Sequence, residues 1–185
     1  MKRKLVRDLI PQIAQDSGSD NKFRKYESDS EYRKGLADKI IEEANEVCVE
    51  LNHRSDPFKH QELLPILEEM CDLLEVLDTC AYINNLPSSE ETMKILNIDP
   101  MALLFKYDSF HNGDFVSLFN STKFSLYHTF LNSLEFDFEV EFINICSIIL
   151  SYITLFDISI ETFKEIQYEK QLKRGGFDDM MYMIL

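Results

Sequence analysis

The feature that most constrains this chain is a helical stripe of apolar residues in IIEEANEVCVEL, residues 40–51. At about 100° per residue its apolar side chains share one face of a helix. A second stripe with the same period occupies residues 62–84. A helix with one apolar face must bury it against another element. We therefore expect two long amphipathic helices, over 30–51 and 62–84, to pack as an antiparallel pair.

Composition favours helices along the rest of the chain. The 185 residues include only five Gly and five Pro, and 45% of them are hydrophobic. This length suits one domain with a sizeable core. We predict a single all-α domain over residues 1–185, a helical bundle in which the pair packs against a C-terminal helix. Ser88 and Glu91 predict a capping box at the start of a further helix.

Charge and cysteine usage narrow the classes of partner. The formal net charge of −14 argues against duplex nucleic acid, whose phosphates would be repelled. The most apolar stretch, INICSIILSYITLF, has 14 residues and is interpreted as a buried helix rather than a membrane span. No signal peptide is evident, so we expect a cytoplasmic protein without a membrane partner. The four cysteines lie in apolar patterns and are expected to be reduced core residues: Cys48, Cys71, Cys80 and Cys146.

Pairs of acids flank both apolar stripes. Glu43 and Glu46 flank the first, and Glu69 and Asp72 flank the second. Such runs are usually solvated faces, but a carboxylate at a core edge is costly unless its charge is compensated. In an antiparallel hairpin the two pairs can face each other. Neither motif contains Lys or Arg, so their oxygens suit a hard divalent cation, preferably Mg²⁺, with Mn²⁺ possible. The remaining acids of the second helix are expected to be solvated: Glu68, Glu75 and Asp78.

Three motifs in order carry a resemblance to a known family. Glu42-Glu43-x-x-Glu46 followed by Glu69-x-x-Asp72 resembles the EExxE…ExxD signature of the MazG-like all-α nucleotide pyrophosphohydrolases. KLVRDLIP near the N-terminus and KQLKRGGF near the C-terminus resemble motifs of a short subgroup related to phosphoribosyl-ATP pyrophosphohydrolase. The match covers roughly residues 1–90 and 155–185. It implies a bundle of the all-α NTP pyrophosphatase type.

The resemblance also implies an activity, the Mg²⁺-dependent hydrolysis of a nucleoside triphosphate to the monophosphate and pyrophosphate. In this view the metal ligands are Glu43, Glu46, Glu69 and Asp72. Glu42 would complete the ligand set or orient the attacking water. The candidate catalytic residues are Glu42 and Glu46. Two alternatives stay open: phosphoribosyl-ATP hydrolysis in histidine synthesis, and a catalytically decayed module that binds nucleotides or proteins.

Cations must meet the triphosphate as well. The candidate substrate-binding residues are Lys39, Lys170, Lys173 and Arg174. Helix termination explains KRGGF equally well, and both roles can hold together. For Lys4 and Arg7, surface charge is slightly favoured over phosphate contact.

The middle of the chain departs from the short family members. Residues 95–155 form an additional helical segment, either an insertion or a degenerate second half. Residues 82–94 share identities with residues 152–164, including Tyr82, Ile83, Glu91, Thr92 and Lys94, which chance or a decayed duplication explains equally well. In a second half Phe142 would stand in place of Asp72, so no second metal site is expected. We predict that the segment packs against residues 30–84, giving a monomer or small homo-oligomer; the competing idea is a projecting lid.

Overall fold

A computed structural model of the protein describes residues 3–53, 63–96, 112–177 and 179–184. The described residues form seven helices and one three-stranded sheet, so the fold is mostly helical, as predicted. The elements in chain order are β1 (Arg3–Leu5), α1 (Ile10–Asp16), β2 (Lys22–Lys25), α2 (Asp29–His53), α3 (Leu63–Ile83), α4 (Ser89–Leu96), α5 (Asn112–Leu131), α6 (Glu135–Leu155), α7 (Ile160–Arg174) and β3 (Met181–Ile184).

Helices α2 and α3 are the predicted pair, with ends within two residues of the predicted bounds. The apolar stripe of each helix is buried, with Ile40 and Leu77 fully enclosed. Near the start of α2, Arg33 donates to the side chain of Asn84, just beyond the end of α3, at 3.5 Å. The two helices are therefore antiparallel, which places the middle of one beside the middle of the other.

The described part of the additional segment forms a second hairpin, α5 and α6, which packs against α2 and α3. Among the described elements, α2 and α5 make the most extensive helix pair. Lys123 of α5 is buried and donates to Asn45 of α2 at 2.6 Å. Among the large apolar residues of this segment, Phe119, Phe130 and Tyr152 are fully buried, whereas Phe124 and Leu134 are 56% and 47% exposed. Helix α5 begins at Asn112, and residues 97–111 of the segment lie outside the described residues.

Helix α7 runs antiparallel to α3 and covers another of its faces. Lys164 lies 3.9 Å from Asp78, and Lys170, further along α7, lies 2.8 Å from Asp72, which comes earlier on α3. The predicted capping box is confirmed: the Ser88 amide donates to the Glu91 carboxylate at 2.9 Å, and α4 begins at the next residue. The four cysteines are free and buried, as expected.

The small sheet was not predicted. Strand β3 lies between β1 and β2 and pairs antiparallel with both. Strands of three or four residues are too short to show a period-two pattern in sequence, and they form here because the two ends of the chain meet. The sheet packs against α2, with Leu5 of β1 in the hydrophobic core. Near the start of α2, Tyr32 donates to the carbonyl of Phe177. The sheet fixes both terminal motifs beside the α2–α3 pair.

One helical stretch, Phe136–Leu155 in α6, is long and apolar enough to cross a membrane by length and composition. This helical stretch has 20 residues, whereas the most apolar stretch of the sequence, INICSIILSYITLF, has 14. Half of its apolar window is buried within the protein, and core helices of soluble proteins meet the same criterion.

Candidate functional site

Five carboxylates converge between the middle of α2 and the middle of α3. Carboxylate oxygens of Glu43, Glu69 and Asp72 lie within 4.8 Å of one another, and so do those of Glu42, Glu43 and Glu46. Glu43 belongs to both groups and joins them into one cluster, which we call the carboxylate cluster. The structure thus brings together all four residues predicted as metal ligands.

Within the described part of the chain, these two overlapping groups are the only ones with metal-ligating geometry. The α5–α6 hairpin has none, and Phe142, which would stand in place of Asp72, is buried in the apolar core. A phenyl ring has no oxygen or nitrogen that could bind a metal ion.

Burial leaves two oxygens of the cluster without partners. Glu43 is only 4% exposed, and its Oε2 has no hydrogen-bond partner; the same holds for Oε2 of the half-buried Glu69. Burial raises the pKa of Glu43 to about 7, against the opposing effect of Lys39, and burial also raises the pKa of Glu69. Buried, unpaired carboxylate oxygens are costly. An all-oxygen set of this kind fits Mg²⁺ or Mn²⁺, which would offset that cost.

Lysines neutralise one side of the cluster. Lys39 donates to Glu42 at 2.7 Å and also pairs with Glu43, and Lys4 of β1 pairs with Glu42 at 2.7 Å. Burial alone would raise the pKa of Glu42, but the hydrogen bonds from Lys39 and Lys4 outweigh it and lower the pKa. Glu42 is therefore held as an ionised carboxylate at the partly exposed edge of the cluster.

Three cations hold Asp72, although neither acidic motif contains a cation in sequence. Arg7 contacts its Oδ1 at 2.5 Å, and Lys170 contacts Oδ2 at 2.8 Å. Arg174 reaches Oδ2 as well, at 3.5 Å. Lys170 also donates to the carbonyl of Glu68 at 2.8 Å. Both oxygens of Asp72 are thus engaged from within the chain, so it differs from Glu43 and Glu69, which keep unpartnered oxygens.

The expectation that Glu75 is solvated was wrong. Glu75 is 6% exposed and pairs with Arg7, which is itself buried and not a surface charge. The Arg7 guanidinium also donates to the carbonyl of Gly175 at 3.3 Å and lies 5.2 Å from the centre of the Phe177 ring. Arg7 therefore joins the N-terminal motif, the ExxD helix and the RGGF end. In the sequence, the joint presence of these three motifs was the signal that they come together in the fold.

The other two acids expected in solvent are half-buried. Asp78 accepts hydrogen bonds from the amide and hydroxyl of Ser89, at 2.6 and 2.9 Å, and so binds the start of α4. Glu68 contributes its carbonyl to Lys170. Among the predicted substrate cations, Lys173 is exposed and pairs with Glu169 along its own helix at 3.9 Å. Lys173 makes no described contact with the carboxylate cluster.

The fold and the site define a mostly helical protein with a carboxylate cluster between two antiparallel helices. Cations from both terminal regions of the chain contact this cluster. No protein-family model, no curated protein and no solved structure matches the chain. The chemistry of the cluster and the resemblance of the motifs are therefore the basis for a functional proposal.

Proposed function

We propose that this protein is a Mg²⁺-dependent nucleotide pyrophosphohydrolase that cleaves a nucleoside triphosphate to the monophosphate and pyrophosphate. The observation that carries the proposal is the convergence of Glu43, Glu46, Glu69 and Asp72 with two buried oxygens left unpartnered. The order of the three sequence motifs supports it. A role in clearing non-standard nucleotides from the pool, in the cytoplasm, goes with this activity.

The metal would be held by Glu43, Glu46 and Glu69, with Asp72 contributing to the extent that its bound cations allow. A divalent ion bound there would neutralise charge on the phosphate oxygens. Glu42 sits at the open edge of the cluster with a lowered pKa. The lowered pKa keeps Glu42 ionised at neutral pH, so its carboxylate accepts a hydrogen bond from water. We assign it the orientation of the attacking water.

Three cations beside the cluster support binding of a triphosphate. Lys39 lies against Glu42 and Glu43, and Lys170 and Arg174 lie against Asp72. A triphosphate would compete with these carboxylates for the same donors, because charge-assisted hydrogen bonds to phosphate are strong. Arg174 has half of its side chain exposed and is the most accessible of the three.

A panel of NTPs and dNTPs, with phosphoribosyl-ATP included, tests the proposal when pyrophosphate release is measured with Mg²⁺ and with a chelator. Glu46→Gln removes one charge from the exposed edge of the cluster, so we expect release to fall about a hundredfold or more. Glu50→Gln, one turn further along α2, is the matched control and should retain activity. Equal activity of the wild type and Glu46→Gln would contradict the proposal.

A second candidate, a nucleotide-binding module without turnover, is favoured by one observation. Asp72 already has Arg7, Lys170 and Arg174 as counterions, and Glu43 has Lys39. Because the chain's own cations already neutralise part of the cluster's charge, a bound metal ion would stabilise the cluster less. Nucleotide binding that is independent of Mg²⁺ and without pyrophosphate release would support this candidate over the enzyme.

A further inference from the structure

Lys4 of β1 lies at the edge of the carboxylate cluster that α2 presents to solvent. Its side chain is 40% exposed, and its Nζ lies 2.7 Å from Oε1 of Glu42, whose side chain is 30% exposed. Glu46, on the same edge, is exposed as well. Lys39 pairs with the same Glu42 oxygen, but its side chain is only 11% exposed. Of the two lysines that contact Glu42, Lys4 is therefore the one within reach of an anion in solvent.

The small sheet fixes the position of Lys4. In the β1–β3 ladder Lys4 lies opposite Met183, and the next residue, Leu5, is buried in the hydrophobic core. Side chains alternate across a strand, so Lys4 extends from the face opposite Leu5. The Val6 amide donates to the carbonyl of Met181 at 3.1 Å and continues the pairing. The backbone of Lys4 is thus held on a paired strand, while its four-carbon side chain can adjust to a ligand.

Two ammonium groups share one carboxylate oxygen at this edge. Lys4 and Lys39 both lie 2.7 Å from Oε1 of Glu42, so they are close enough for a single phosphate group to contact both. An ammonium has three N–H donors, and the ion pair with Glu42 occupies one of those of Lys4. Lys4 can therefore donate to a phosphate oxygen without leaving Glu42.

The pair between Lys4 and Glu42 presents little obstacle to such a ligand. Ion pairs near solvent are weak, because water screens them and because holding two long side chains in one geometry costs entropy. Charge-assisted hydrogen bonds to phosphate are strong by comparison. A phosphate group at this edge would add a second negative charge beside the two ammonium groups, which is electrostatically favourable.

We propose that Lys4 is a phosphate-binding residue of the nucleotide site, and that its ammonium donates to a phosphate oxygen of the substrate beside Glu42. The identity of the anion as a nucleotide phosphate rests on the proposed function. Arg174, with half of its side chain exposed, contacts Asp72 of α3. Together with Lys4, it gives the carboxylate cluster an accessible cation on each of its two helices.

Inorganic tripolyphosphate tests this contact without a base and without turnover. It is titrated with Mg²⁺ into the full chain, and binding is measured by calorimetry. We expect Lys4→Gln to weaken binding about tenfold, because it removes a charge-assisted hydrogen bond. Lys4→Arg keeps the charge and should bind within about threefold of the wild type. Lys25→Gln is the matched control and should change nothing, since Lys25 lies on the same sheet and pairs with Asp179 at 3.3 Å.

Steady-state kinetics separate a phosphate contact from an effect through Glu42. A contact made equally in the bound substrate and in the transition state changes KM and not kcat. We expect Lys4→Gln to raise KM for the nucleotide about tenfold and to keep kcat within about threefold. A fall in kcat at unchanged KM would overturn the phosphate contact, because Lys4 would then act by orienting Glu42.

The binding experiment has its own opposing outcomes. Failure of the wild type to bind tripolyphosphate, or equal binding by Lys4→Gln, would each overturn the contact; thermal unfolding checks that the variants are folded. Pyrophosphate release together with equal tripolyphosphate binding by Lys4→Gln leaves the proposed enzyme standing without this contact. Tripolyphosphate binding that depends on Lys4, without pyrophosphate release from any nucleotide, leaves the contact standing without the enzyme.

Discussion

Lys170 donates to Oδ2 of Asp72 at 2.8 Å, and both side chains are buried. Arg7 holds the other oxygen of the same carboxylate. A buried charge is tolerated when it is paired and hydrogen-bonded, so Asp72 is satisfied without a metal. Glu43 and Glu69 keep unpartnered oxygens. Both oxygens of Asp72 are thus paired with cations, whereas Glu43 and Glu69 each keep one oxygen for a metal ion.

This division predicts opposite effects on metal binding and turnover when Lys170 is replaced. Lys170→Met removes a positive charge that competes with a divalent ion, so Mg²⁺ should bind about tenfold more tightly by calorimetry. Pyrophosphate release should fall, because the same lysine is assigned to phosphate. Lys173→Met, on the exposed face of the same helix, should change neither quantity much. Weaker Mg²⁺ binding by Lys170→Met would show that the lysine does not compete with the ion.

The stability of the metal-free protein should depend on the ionisation of Glu43. Its pKa is raised to about 7 by burial, from an ordinary value of 4.5. The folded protein then keeps a proton that the unfolded chain has released. This contribution to the free energy of unfolding is complete below pH 4.5 and is lost as pH rises through 7.

Denaturant unfolding of the wild type and Glu43→Gln, in a chelator, measures that contribution. We expect the stability of the wild type relative to the variant to fall by about 3 kcal/mol between pH 4.5 and 8. Saturating Mg²⁺ should remove most of this fall, because an ion that binds only the folded state stabilises it. A difference between the two proteins that does not change with pH would contradict the burial of Glu43.

The sequence was sufficient to predict the helix pair and the acids between them. The stripes containing Ile40 and Leu77 are long and strongly periodic, and such patterns identify helices well. Glu43 and Asp72 flank these stripes, so their approach follows from antiparallel packing. The predicted metal and activity remain predictions, since the geometry provides a ligand set and not a bound ion.

The contacts that surround these acids could not be predicted. Arg7 and Asp72 are 65 positions apart, and Lys170 and Asp72 are 98 apart, so no local pattern links them. Glu75 looked solvated because it lies off the apolar stripe of α3, but the N-terminal segment covers that face and supplies Arg7. Periodicity reports which residues share a face of one helix, and it does not report which distant segment covers that face.

The connection made by Arg7 should be important for stability. Arg7→Met leaves Glu75 buried without its cation and removes one of three from Asp72, so we expect a loss of about 3–5 kcal/mol in the free energy of unfolding. Arg24→Met is the control, because Arg24 is exposed on β2. Its effect should be within about 0.5 kcal/mol. Similar melting temperatures for both variants would mean that the buried pairs add little to stability.

Gly175 in the RGGF end should tolerate substitution less than Gly18, a glycine with a similar φ. Gly175 and Gly18 have φ values of 77° and 72°, which favour glycine. A Cβ at Gly175 would lie 2.9 Å from the backbone nitrogen of Leu9, whereas one at Gly18 would meet nothing within 4 Å. We expect Gly18→Ala to cost about 1 kcal/mol in urea unfolding and Gly175→Ala about 2–3 kcal/mol more. Because the Gly175 carbonyl accepts from Arg7, Gly175→Ala should also lower pyrophosphate release, and Gly18→Ala should not. Equal costs for the two substitutions would show that the turn after α7 can move away from Leu9.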